Sequence, residues 1–69
     1  MSMPVRVTIL SRKDCHLCEV VHQIALRLQS ELHIETHKVP IEHDRVLMER
    51  YGTRVPVVLL DEVEHFAGK

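Results

Sequence analysis

Tryptophan is absent from this sequence, and phenylalanine and tyrosine occur once each. A core without large rings has to be assembled from Val, Ile and Leu, and an apolar content of 45% is ample for that. Long apolar runs are missing too: nothing approaches the ~20 consecutive residues of a membrane-spanning helix. Arg6 and Thr8 interrupt the apolar stretch near the start, so Met1 to Arg6 does not read as a signal peptide. Neither sign of charge dominates. The net charge is −1 with both signs interspersed, which gives no case for binding to nucleic acid or to an anionic membrane. No internal repeat or low-complexity segment is visible, and 69 residues make one small domain, 1–69. A chain of this size buries roughly 60% of its unfolded surface, so its stability is modest. The expected setting is cytoplasmic and reducing, where two cysteines serve catalysis or metal binding rather than a permanent staple.

The two cysteines lie in Asp14-Cys15-His16-Leu17-Cys18. They fall where an apolar β-like run (Val5, Val7, Ile9, Leu10) gives way to a helical pattern. A Cys-x-x-Cys at such a junction reads as a thiol–disulfide redox site. Cys15 at the first turn of a helix meets unpaired backbone N–H groups and the positive end of the macrodipole, both of which favour a thiolate. Cys18, one turn on, faces the same side and can attack a mixed disulfide at Cys15.

Val5 to Leu10, bounded by Pro4 and a polar loop, reads as a strand buried on both faces. Leu17, Val20, Val21, Ile24, Ala25 and Leu28 recur at spacings of three and four, which predicts one apolar face of a helix over 15–30, with Asp14 as its N-cap or a first-turn acid. Residues 32–39 suit a second strand. Strand, helix and strand within this length imply a right-handed crossover and a parallel pair. A short helix follows over 45–51, ended by Gly52 as C′ residue. Val55 to Leu60 is a third, internal strand whose Pro56 stands at its start. Asp61-Glu62 turns into a fourth strand over 63–66. The order β-α-β-α-β-β is that of an α/β fold with a mixed sheet.

The stretches Thr8 to Cys18 and Tyr51 to Val57 together resemble the glutaredoxin-like branch of the thioredoxin-fold superfamily, and the resemblance extends over nearly the whole chain. It implies a thioredoxin-like fold with a four-stranded mixed sheet in the order 4-3-1-2, strand 3 antiparallel. It also implies a thiol–disulfide oxidoreductase in which Cys15 is the exposed nucleophile and Cys18 the resolving thiol. By the same likeness Val55-Pro56 carries a cis proline beside the dithiol, and the backbone of Val55 pairs with the substrate's cysteinyl backbone. Arg12 stands where a basic residue meets a carboxylate of glutathione, and Gly68 where small residues cradle its glutamyl end. His16 and Leu17 replace the family's frequent Pro-Tyr, so the aromatic flanking glutathione is gone. Arg54 stands in place of Thr, either as a guide for an anionic substrate or as a solvated charge. No bound cofactor is implied; glutathione enters as reductant or substrate. The implied partners are disulfide-containing proteins or glutathione mixed disulfides, with neither nucleic acid nor membrane. The chain stops where the family has its last helix, so apolar sheet surface is expected to lie bare and to be covered by a partner or by a homodimer.

Two other readings stand beside this one. Cys15 and Cys18, with His16 or His22, offer thiolate and imidazole ligands to a metal in a binding or delivery module, although no second pair completes a closed four-ligand site. Glu19 after Cys18 excludes the covalent haem motif. A thioredoxin-fold binding module with an idle dithiol, docking through the bare sheet face, is the third. His16 either raises the thiolate fraction or is simply solvated at the helix start. His33, His37, His43 and His65 show no ligand spacing and read as surface residues.

Overall fold

The structure, a computed structural model, describes residues 3–68. Six elements follow in the anticipated order: β1 (Val5–Ser11), α1 (His16–Gln29), β2 (Ile34–Pro40), α2 (Arg45–Tyr51), β3 (Val57–Leu60) and β4 (Val63–Ala67). The sheet order is β2-β1-β3-β4, which is 4-3-1-2 read from the other edge. β1 pairs in parallel with β2 and antiparallel with β3, and β3 pairs antiparallel with β4. The inner strands are β1 and β3, and Val7 to Ser11 of β1 are all buried, as in a strand covered on both faces.

Alternation along the strands sorts the core into two layers. On one face Val7 and Ile9 pack with Ala25 and Val21 of α1 and with Val58 and Leu60 of β3. On the other, Leu10 and Val57 pack with Ile41 and with Tyr51, Leu47 and Met48 of α2. The two helices therefore lie on opposite faces. Tyr51, the one tyrosine, is a core residue of the α2 side.

Asp61-Glu62 forms the two-residue β3–β4 turn with positive φ at both residues (48° and 72°), the backbone a twisted hairpin prefers. Asp61 also binds across the sheet, donating its N–H to Arg6 O at 2.8 Å and accepting the Arg6 N–H on Oδ1 at 2.9 Å. β4 carries an irregularity: Val58 faces Phe66 while Leu59 faces Glu64, which leaves His65 as the extra residue of a bulge.

Three expectations need correction. The N-cap of α1 is Cys15 and not Asp14, because Asp14 adopts the left-handed conformation (φ 59°) and turns the chain one residue early. Gly52 is the C-cap of α2 in right-handed helical geometry (φ −53°) and not a left-handed C′ residue. What it needs glycine for is room, since a Cβ there would stand 2.5 Å from Met48 O. Finally, the apolar face of α1 is only partly buried. Cys18, Val21 and Ala25 meet the sheet, while Leu17, Val20, Ile24 and Leu28 are exposed, Ile24 by 52%. One sheet face holds a single helix, and beside it runs an apolar groove of about 430 Å³ lined by Val5, Ile24, Leu28, Leu32, Ile34 and Leu60.

Candidate active site at Cys15 and Cys18

The register brings three chain segments to one end of the sheet. Leu10, near the end of β1, faces Val57, the first residue of β3, and Val57 faces Ala67, the last of β4. The loop leading to Cys15, the Val55–Pro56 pair and Gly68 therefore gather at that end.

Cys15 and Cys18 are joined as a disulfide with Cα atoms 5.2 Å apart. Their surroundings differ. Cys15 is half-buried, whereas Cys18 is 0% exposed beneath the first turn of α1. As N-cap, Cys15 accepts the Cys18 N–H on Sγ at 3.2 Å, and its carbonyl accepts the Glu19 N–H at 3.3 Å. Sulfur here takes the place usually held by a Ser or Asp oxygen, and a thiolate at this position meets the same helix-terminal donors. His16 and Leu17 follow as the first two helical residues, both exposed, so one imidazole and one apolar side chain stand between the two cysteines in the chain.

The loop that delivers Cys15 is tied at two points to the segment containing α2. Arg12 Nη1 donates to Gly52 O at 2.8 Å, and the Lys13 N–H donates to Glu42 Oε2 at 2.7 Å. That backbone hydrogen bond holds the Glu42 carboxyl below the usual carboxylate range. Arg12 is thereby engaged with the C-terminal end of α2, one of the carbonyls a helix leaves unpaired. Arg12, Lys13, Cys15 and His16 border a cleft of about 590 Å³ that reaches to Lys38 and Glu42. At its side Lys38 forms an ion pair with Glu19, and the Glu19 carboxyl is held down by that hydrogen bond and by the ammonium charge.

Val55 and Pro56 form the second group. Their peptide bond is cis, and Pro56 is fully buried. Gly68 returns to them from β4, its N–H shared between Arg54 O and Pro56 O at 2.8 Å each. Arg54 faces elsewhere: its Nη2 donates to Glu64 Oε2 at 2.6 Å, and its guanidinium lies 5.7 Å from the Tyr51 ring centroid. Glu42 was not singled out in the sequence, and Gly52 only as a helix end, since their partners lie 29 and 40 residues away and no local pattern marks such pairs. Among the described residues, no group of three or more His, Cys, Asp or Glu side chains is placed to hold a metal ion.

A dithiol at a helix start, set on a β-α-β-α-β-β sheet with a cis proline at the same end, defines a thioredoxin-fold protein with a redox-type site. The family model described as Glutaredoxin-like domain (DUF836) matches residues 6–69, and the chain belongs to that family. A solved relative is protein Ne2328 from Nitrosomonas europaea, determined by NMR in solution. It superposes with a TM-score of 0.84 at 26% identity, over 97% of this chain and 81% of its own. No match is found among curated proteins. No helix of the described residues is long and apolar enough to cross a membrane.

Proposed function

We propose that the chain is a thiol–disulfide oxidoreductase that reduces protein disulfides or glutathione mixed disulfides through Cys15 and Cys18. The observation that carries this reading is the asymmetry of the pair, one sulfur half-exposed at a helix N-cap and the other fully buried one turn on. In the first step the Cys15 thiolate attacks one sulfur of a substrate disulfide. The S–S bond breaks, a mixed disulfide forms, and the departing thiolate takes a proton from water. In the second step the Cys18 sulfur, having lost its proton, attacks Cys15 Sγ and releases the second substrate thiol. The protein is left as the Cys15–Cys18 disulfide, and two molecules of an external thiol such as glutathione restore the dithiol, the first forming a mixed disulfide that the second displaces as oxidised glutathione. Buried Cys18 is kept from substrate yet lies within bonding reach of Cys15, which suits a resolving role. The backbone of Val55 is the docking edge for the substrate's cysteinyl segment, and the exposed Leu17 offers it an apolar contact.

The setting proposed for this activity is the cytoplasm. Self-association is assigned to the apolar groove beside α1, where Ile24 and Leu32 lie open, and dilution into the nanomolar range should dissociate such a dimer.

The test is equilibration of the chain across a series of glutathione redox buffers, with acid trapping and mass readout. A reversible two-electron transition within about −270 to −120 mV is expected. No reversible disulfide, or thiols silent until a chelator is added, would overturn the reading in favour of metal binding. Cys15→Ser should abolish turnover while keeping the helix cap, because a serine oxygen accepts the same N–H.

A further inference from the structure

Gly68 sits closer to the Val55–Pro56 peptide than any other residue type could. A Cβ built on it would stand 2.7 Å from Val55 O, 2.9 Å from Pro56 Cδ and 3.1 Å from Pro56 N. All three are backbone or ring atoms, so none can swing aside as a flexible side-chain end would. The Gly68 N–H meanwhile bridges Arg54 O and Pro56 O, the carbonyls on either side of Val55. The chain leaving β4 thus clamps the peptide groups around Val55 from one side. Val55 itself is half-buried, and among the described residues its N–H and C=O take no backbone hydrogen bond. Among the described residues its donor and acceptor are therefore left without a backbone partner.

Building on the proposed exchange reaction, we infer that Gly68 is a positioning residue that sets the Val55 N–H and C=O for pairing with the extended backbone of a cysteinyl substrate. Its effect falls on substrates with an amide backbone beside the disulfide and leaves the sulfur chemistry alone. A methyl group at position 68 pushes the Val55 carbonyl aside and spoils the docking edge, whereas Cys15 and Cys18, on α1, keep their geometry. This differs from a glycine that merely makes room for a ligand, because the displaced atom belongs to the protein's own docking strand.

The experiment compares wild type and Gly68→Ala on two substrates, with dithiothreitol as reductant and no glutathione present. One substrate is a cysteinyl peptide in disulfide with 2-mercaptoethanol; the other is bis(2-hydroxyethyl) disulfide, which has no amide. Gly68→Ala should raise KM for the peptide about tenfold, the worth of one hydrogen bond, with kcat retained. Turnover of the small disulfide should stay within about twofold on the same scale. Equal losses on both substrates, or none on the peptide, would overturn the inference. A second measurement needs no change at 68: the Val55 amide should become protected from hydrogen exchange when Cys18→Ser is trapped as its mixed disulfide with the peptide, but not with 2-mercaptoethanol. Absence of that protection overturns it as well. A wild-type chain that turns over neither disulfide refutes the exchange reaction itself, a different result from any of these.

Discussion

Reduced protein exposed to iodoacetamide should be alkylated at Cys15 and spared at Cys18. Cys18 is 0% exposed, so reagent reaches it only after the start of α1 opens, while half-exposed Cys15 needs no opening. The scale of protection follows from the stability of the domain. At 0.05–0.15 kcal/mol per residue, 69 residues give roughly 3.5–10 kcal/mol against global opening. Each 1.4 kcal/mol is a factor of ten, so the open population lies at or below about one part in a few hundred. Helix starts open more readily than whole domains, which lowers the bound. Cys18 should therefore react at least about 100-fold more slowly than Cys15. Tryptic cleavage after Lys13 and Arg27 puts both cysteines in the single peptide Asp14–Arg27, where fragmentation assigns each adduct. Comparable rates at the two positions, within about threefold, would refute the assignment of nucleophile and resolving thiol by burial.

Acid should weaken the fold partly through Glu42. Its carboxyl is held below its ordinary value of 4.5 by the Lys13 N–H, so the stabilisation is present above that value and lost as pH falls through the depressed one. Glu42→Gln should lower the thermal midpoint slightly at pH 6 and leave it unchanged near pH 3; an equal difference at both pH values would contradict this. Ile9, with 0% exposure between α1 and the sheet, should tolerate truncation poorly. Ile9→Ala should cost about 2–5 kcal/mol, which in a domain of this size lowers Tm by roughly 8–40 °C, measurable by thermal melting followed by circular dichroism.

Element order was legible in the sequence because it depends on local periodicity. The apolar runs at Val5 to Leu10 and Val55 to Leu60 and the three-four spacing from Leu17 to Leu28 each declare an element without help from distant residues, although β3 begins only at Val57. The Cys-x-x-Cys at the strand–helix junction was legible for the same reason, and with it the place of the candidate site. Burial was less so. The α1 stripe predicts a wide apolar face, yet only the Cys18–Val21–Ala25 line meets the sheet, since how much of a face is covered depends on what packs beside the helix.

What the sequence by itself determined, then, is the set of elements and the Cys-x-x-Cys pair, both written in spacings of a few residues, while the place of Val55-Pro56 beside them was implied by the family resemblance. Tertiary structure alone decided which atom caps α1, what Arg12 holds, and why position 68 is glycine. Sulfur of Cys15 became the cap because Asp14 turns left-handed ahead of it. Arg12 was drawn to Gly52 O, 40 residues away, and Gly68 was pressed on Val55 O by the return of β4. Such contacts join residues far apart in the chain, and their distances are set by the pairing of strands and not by any local preference.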